Sequence, residues 1–359
     1  MRIAFVHEYL NQFGGAERTL AVLVEMFPTA PIYTLLYNEK ATRGLFKGRT
    51  IQTSFLQKFP GAASHHEWYP LLMPLAIEQF DFSAYDIVIS LSASFAKGIV
   101  TKPHARHICY CLTPPRFLWD NSQKFGKDFG FPPLVRFASQ PLITYLRMWD
   151  HSAAGRVDEF WRISNFVGKR IQKYYHKSSV LIYPPIDIAM FTVSVEPAQN
   201  YFLMVGRLVS YKKFDVAIRA FNELKLPLKI VGTGPEKERL KKMASANIEF
   251  LGQISDEELG RHYRGARALI FPQEEDFGIV PLEAMASGRP VIAYRGGGAE
   301  ETIIENETGM FFETQTLEAI IDAVNKFSGQ EFSPARCRSR AEEFSIDCFK
   351  KNIKKNLNL

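Results

Sequence analysis

The chain has 359 residues, 46% hydrophobic and 23% charged, a balance that supports packed cores and excludes global disorder. No apolar run reaches the ~18 residues needed to cross a bilayer, the opening through His7 is too short and polar for a secretory leader, and four cysteines make no disulfide framework. The net charge of +6 is uneven: residues 1–187 carry 21 cations against 14 anions, 188–332 carry 16 against 21, and 333–359 carry 7 against 3.

In chain order, Arg2–His7 reads as a first strand, followed by a loop through Gly14-Gly15 and a helix over Ala16–Phe27. Asp86–Ser90 and His107–Cys111 are short buried strands, with Cys109 and Cys111 on one side and no His/Cys set for zinc nearby. The segment Asn121–Arg156 interleaves Phe and Pro with Lys and Arg, a composition that suits either a membrane interface or a folded insertion with its own core. Glu159–Ser164 and Val180–Tyr183 are further strands around a basic helix at Val167–Tyr175.

Pro184-Pro185 interrupts the pattern as a hinge would. A second series then has strands at Tyr201–Val205, Leu228–Val231, Ile248–Phe250, Ala268–Phe271 and Val291–Ala293. Its helices are Asp215–Leu224, Glu236–Ala244 and Pro281–Ala286. At roughly 150 residues per domain the length fits two domains. The alternation predicts an α/β protein of two doubly wound domains, 1–187 and 188–334, with a basic helical segment at 335–359 returning to the first. Ligands of such sheets bind beyond the carboxyl ends of the strands, and a cleft between the domains is expected.

The stretch from Pro272 to Glu283 follows a strand, turns at Gly278 and enters a helix whose N-terminus can receive an anion. Pro281 suits the first helical turn. Glu275 and Glu283 can each accept hydrogen bonds from hydroxyls, as on a sugar and a ribose. After the strand ending at Val205, Gly206 permits a close approach, and Arg207 and Lys213 supply the fork and point charge that suit a diphosphate. Lys212 and Lys213 also fit a solvated turn. Gly232-Thr233-Gly234 repeats the logic without completing a dinucleotide fingerprint. Gly14-Gly15 and Gly296-Gly297-Gly298 likewise follow strands.

Together these pieces resemble the retaining nucleotide-sugar glycosyltransferases of family four, which have the GT-B fold. The likeness runs from His7-Glu8 and Gly14-Gly15-Ala16-Glu17-Arg18 through Ile182–Asp187, Gly206-Arg207-Leu208 and Glu275 to Glu283, and on to Glu301 and Ala341–Ser345. Tyr110–Arg116 followed by Trp119-Asp120 is similar to mannosyltransferases of bacterial O-antigen and exopolysaccharide synthesis.

The resemblance implies that Arg207 and Lys213 bind a donor diphosphate, Glu283 its ribose and Glu275 the transferred sugar, making Glu275, Arg207 and Lys213 the catalytic set. It further implies that Gly15, Gly234 and Phe277 belong to the donor site. The main chain around Leu251 would read the base, and the amides of Gly278, Ile279 and Val280 would face the phosphates. His7, Glu8, Arg116 and Asp120 would line the acceptor side. Leu112 stands where the family often has a histidine that touches the donor sugar, and His104 and His107 read as surface or strand residues rather than substitutes.

The expected reaction moves a hexose, preferably mannose from GDP-mannose rather than a UDP-sugar, to a glycan or polyprenyl-diphosphate-linked acceptor. Configuration is retained and no metal or other cofactor is expected; no Asp-x-Asp motif occurs. The basic ends imply a cytoplasmic protein docked on the anionic inner face of the membrane. The rival readings are a UDP-sugar transferase, an epimerase or phosphorylase of similar outline, an inactive nucleotide-sugar-binding subunit favoured by Leu112, and a nucleic-acid module, for which no motif appears.

Overall fold

The computed structural model describes residues 1–120, 140–194 and 197–359. The chain divides into two compact units, Met1–Pro184 with Asn352–Leu359, and Pro185–Lys351.

The first unit holds strands β1 (Ile3–Leu10), β2 (Ile32–Tyr37), β3 (Ile51–Thr53), β4 (Ile87–Ser92), β5 (Arg106–Cys111), β6 (Glu159–Arg162) and β7 (Ser179–Leu181). They form one sheet in the order β3-β2-β1-β4-β5-β6-β7, and every pairing is parallel. Parallel strands are covered by helices on both faces, so they read as continuous apolar runs rather than alternations. All six residues of β4 are buried, Ser90 included; its hydroxyl lies 2.8 Å from His107 Nε2. Its described helices include α1 (Gly15–Met26), α2 (Met73–Glu78), α3 (Gln140–Gly155) and α4 (Asn165–Tyr175). The first strand runs three residues beyond the expected His7, because Tyr9 and Leu10 pair with Leu36 and Tyr37 of β2. Of the Asn121–Arg156 segment, residues 121–139 lie outside the described residues; most of the remainder is α3.

The second unit has a six-stranded parallel sheet, β10-β9-β8-β11-β12-β13. Its strands are β8 (Phe202–Val205), β9 (Leu228–Val231), β10 (Ile248–Gly252), β11 (Leu269–Phe271), β12 (Val291–Tyr294) and β13 (Gly309–Phe312). Between them run α5 (Phe214–Leu224), α6 (Lys237–Met243), α7 (Asp256–Gly265), α8 (Ile279–Ala286) and α9 (Ala299–Thr302), and after the last strand come α10 (Leu317–Phe327), α11 (Pro334–Glu342) and α12 (Ile346–Leu357), whose residues from Asn352 on belong to the first unit. Phe202, Phe214, Phe221, Ile230, Ile292 and Val324 lie in one buried core. The basic terminal segment is thus two helices.

Both sheets have the topology in which strand order reverses beside the first strand, between β1 and β4 and between β8 and β11. Neighbouring crossovers leave there in opposite directions, so the strand ends open a crevice that a ligand can enter.

Candidate functional site

In the second unit, five loops at the carboxyl ends of the strands are laced together through glycines. Gly206, at φ 155°, ends β8, and the Gly232 amide after β9 donates to Gly252 O at the end of β10, 2.8 Å away. A Cβ on Gly232 would lie 1.9 Å from Gly206 O, and one on Gly234 2.3 Å from Leu208 O. No side chain fits at either place, so these loops pack backbone to backbone. The β9–β10 register shifts between Phe250 and Gly252, which leaves Leu251 as the extra residue of a bulge. A bulge turns peptide groups out of the ladder, so this main chain has groups to offer a ligand.

The loop from Pro272 carries the central feature of the site. Lys212 Nζ lies 2.7 Å from Glu275 Oε1, with the side chains 12% and 20% exposed. Burial is the largest influence on the Lys212 ammonium and disfavours it, but the charge of Glu275 and its hydrogen bond outweigh burial and raise the pKa above the ordinary lysine value. Gln273 Nε2 donates to the same carboxylate oxygen over 3.3 Å.

Of the two adjacent lysines, then, it is Lys212 that reaches this loop, and not the expected Lys213. Lys213 adopts a left-handed φ of 56° and serves as the N-cap of α5. Arg207 is exposed on the same loop as Lys212.

Gly278, at φ 84°, is the N-cap of α8 and provides no side-chain cap, so the first amides of the helix around Ile279 and Val280 start uncapped by a side chain. Glu283, one turn into α8, is 5% exposed, and its Oε2 accepts a hydrogen bond from the Tyr263 hydroxyl of α7 at 2.8 Å. Phe277 is buried, with its ring 5.7 Å from that of Phe344. The Gly298 amide donates to Glu275 O at 2.8 Å, tying the loop after β12 to the Glu275 loop.

The first unit treats its expected residues differently. Glu8, 4% exposed, accepts hydrogen bonds from Ser92 Oγ and the amides of Ala93, Ser94 and Ala96, at 2.6–3.1 Å. It caps the loop after β4. His7 is 3% exposed; its Nε2 stands 4.0 Å from Glu17 Oε1 in the first turn of α1, just past Gly14-Gly15. Asp120 is ion-paired with Arg170 and accepts from the Tyr174 hydroxyl; Tyr174 also stacks on Trp119 at 4.8 Å. Arg170 further donates to Thr113 Oγ1 and Pro114 O, so α4 holds the loop that contains Arg116.

Leu112 is half-buried, its amide on Ser92 O at 2.8 Å. His107 is buried, and burial above all, then Arg156, lowers its pKa to about 3; His104 is an exposed residue near Ser83 O. Among the described residues no group of three or more His, Cys, Asp or Glu could hold a metal ion, and no helix is long and apolar enough to cross a membrane.

A laced set of loops, an acid–lysine pair and a helix N-terminus without a side-chain cap thus meet at the switch point of the second sheet. Residues 185–344 match the family model for glycosyl transferases group 1. The chain therefore carries a glycosyl transferases group 1 domain, and it has mannosyltransferase homologues at modest identity.

The GDP-mannose-dependent alpha-(1-6)-phosphatidylinositol monomannoside mannosyltransferase of Mycolicibacterium smegmatis is 38% identical over 33% of this chain and 36% of its own length. The alpha-1,3/1,6-mannosyltransferase ALG2 of Mus musculus is 25% identical over 77% of this chain and 72% of its own. Against the mycobacterial protein and an uncharacterized glycosyltransferase of Methanocaldococcus jannaschii, the chain spans only 36% and 54% of the relative's length. Among solved structures, Anabaena Alr3699/HepE in complex with UDP and glucose matches with a TM-score of 0.74 at 15% identity, over 100% of this chain and 99% of that one. The fold is thus GT-B, with two Rossmann-like parallel-sheet domains.

Two further residues belong to this arrangement: Lys212, which pairs with Glu275 where its neighbour Lys213 is the expected cation, and Tyr263, in a helix whose start, Ser255 with Glu258 in a capping box, is a legible signal.

Proposed function

We propose that this chain is a retaining hexosyltransferase that moves mannose from GDP-mannose to a hydroxyl of a glycan or polyprenyl-diphosphate-linked acceptor in bacterial surface polysaccharide synthesis. The observation that carries the reading is the Lys212–Glu275 pair on the loop that runs into the N-terminus of α8. A nucleoside diphosphate brings negative charge to a lysine, a nearby arginine and uncapped amides, and a sugar brings hydroxyls to the carboxylate.

Arg207 and Lys212 then take the charge that builds on the leaving diphosphate, with the amides of Gly278, Ile279 and Val280 beside them. Glu275 holds hydroxyls of the transferred sugar, and Glu283 holds the ribose. The bond from the anomeric carbon to the diphosphate oxygen breaks as the bond to the acceptor oxygen forms on the same face, and the acceptor proton passes to a diphosphate oxygen. Stabilisation of this kind is electrostatic and preorganised, the largest source of rate in many enzymes. The mannosyl donor is supported by the likeness of a third of the chain to the GDP-mannose-dependent mycobacterial enzyme. The basic ends of the chain support a peripheral site of action at an anionic membrane face.

Thermal stabilisation by GDP, UDP, ADP and their sugar nucleotides tests the donor. A ligand at 100 times its dissociation constant stabilises the folded protein by about 2.7 kcal/mol. Selective stabilisation by GDP and GDP-mannose is expected; a UDP preference keeps the reaction and changes the donor, and no response to any nucleotide removes the reading. Leu112 favours a second reading, an inactive nucleotide-sugar-binding subunit, which predicts the same stabilisation with no product from any lipid-linked acceptor.

A further inference from the structure

We propose that Tyr263 is a positioning residue that fixes the Glu283 carboxylate for recognition of ribose hydroxyls, and so sets the preference for ribonucleoside over dideoxynucleoside diphosphates. The proposal rests on the reading of Glu283 as the ribose ligand and adds the residue through which that ligand is oriented.

The geometry points to Tyr263 for three reasons. Its hydroxyl donates to Glu283 Oε2 at 2.8 Å, with the two residues 1% and 5% exposed. A hydrogen bond to a carboxylate away from water is charge-assisted and directional, and it fixes the plane of the acceptor as well as its place. The ring of Tyr263 meets the edge of Phe191, itself 2% exposed, at 5.8 Å and 80°, so the hydroxyl is aimed by a packed aromatic pair.

The third reason is the frame behind them. Arg338 donates to Phe191 O, to Ile188 O at 3.2 Å and to Ala286 O, the last carbonyl of α8, at 2.8 Å. One guanidinium therefore holds both the segment that backs Tyr263 and the helix that carries Glu283. A carboxylate held on such a frame presents its acceptor geometry before the ligand arrives, and the ordering cost of binding falls. Without the hydroxyl, Glu283 keeps its place in α8 but loses a directional restraint. The loss falls on the ligand groups that need that direction, the 2′- and 3′-hydroxyls.

The experiment compares the full chain with its Tyr263→Phe and Glu283→Ala variants by calorimetric titration. The probe is GDP or UDP, whichever the wild type binds more tightly, together with its 2′,3′-dideoxy form. Glu283→Ala is expected to abolish the preference for ribose. Tyr263→Phe is expected to weaken ribonucleotide binding about tenfold, the scale of a hydrogen bond to a charged group, and dideoxynucleotide binding by less than about twofold on the same argument. Phe191→Leu, which keeps the hydroxyl but loosens its support, is expected to narrow the preference less.

A purely structural role for Tyr263 would weaken both ligands equally. A preference unchanged in Tyr263→Phe but lost in Glu283→Ala overturns the proposal and leaves the ribose reading standing. A preference unchanged in Glu283→Ala overturns both, as does the absence of binding by either nucleotide to the wild type.

Discussion

At the carboxyl end of the first sheet, Glu8 is 4% exposed and receives one hydroxyl and three backbone amides. At the corresponding end of the second, Glu275 is 20% exposed and faces the ammonium of Lys212 and the amide of Gln273. Both acids stand beside a reversal of strand order, where ligands of doubly wound sheets bind. Their difference lies in what already occupies the lone pairs. Glu8 Oε1 is saturated by the loop it caps, and Oε2 shares the amide of Ala93 with it. Glu275 is paired with a long, flexible cation that an incoming diphosphate can draw away, so both partners have capacity left for a ligand. A carboxylate at a switch point is therefore architectural or ligand-directed according to its donors.

Replacing the two adjacent lysines one at a time separates a ligand-facing cation from a structural one. Lys212→Met is expected to lower the rate of sugar transfer about a hundredfold or more, the effect of removing one donor to a charge that develops in the transition state. Lys213→Met leaves the rate within about threefold, since Lys213 starts a helix and is not the partner of Glu275. Steady-state rates with the nucleotide sugar found by thermal stabilisation decide it, and equal losses would sink the assignment of Lys212. Next in size is the architectural acid. Glu8→Gln puts an amide NH2 against amide donors and should cost about 3 kcal/mol of stability. Urea unfolding measures it, and a loss of activity at unchanged stability would return Glu8 to the acceptor site.

His107 provides a pH signature of the first unit alone. Its native pKa is lowered to about 3, first by burial and then by Arg156, against about 6.5 in an unfolded chain. Below pH ~6.5 the unfolded chain takes up a proton that the native imidazole refuses. The stability from this group is therefore complete above that pH and is lost as pH falls toward about 3. Between pH 7 and 5 the loss is about 2 kcal/mol. His107→Gln should flatten the acid limb of the melting curve, and an unchanged limb would show that other groups control it.

Much of this architecture was legible because parallel strands buried on both faces are short apolar runs between helices. β8, β9 and β11 were found within a residue or so. β2, β3 and β13 were not. β13 is four residues that open with Gly309, and its place depends on pairing with Val291–Tyr294, a contact between distant residues that a local pattern does not carry. The site divides in the same way. The Pro272–Glu283 stretch announced itself by its glycine, its proline and its acids. Which lysine faces Glu275 depended on a left-handed turn at Lys213, and Tyr263 meets Glu283 only through the packing of α7 on α8. Residue types were readable, and side-chain directions were not.

The smallest effect concerns the basic ends. In α12, Phe349, Ile353 and Leu357 are buried at a spacing of four, while Lys351, Lys354 and Lys355 are exposed. The helix thus has one face packed and one face charged, and the charged face has no apolar residue to insert into a bilayer. Binding to lipid would then be electrostatic, worth about 1 kcal/mol per lysine near an anionic surface. Lys354→Gln should weaken sedimentation with vesicles containing phosphatidylglycerol about fivefold at low salt. The difference should vanish at several hundred millimolar salt, where the Debye length falls to a few ångströms. Binding that survives high salt, or that phosphatidylcholine vesicles support equally, would mean an apolar anchor elsewhere. No binding at low salt would place the acceptor away from the membrane and leave the donor site untouched.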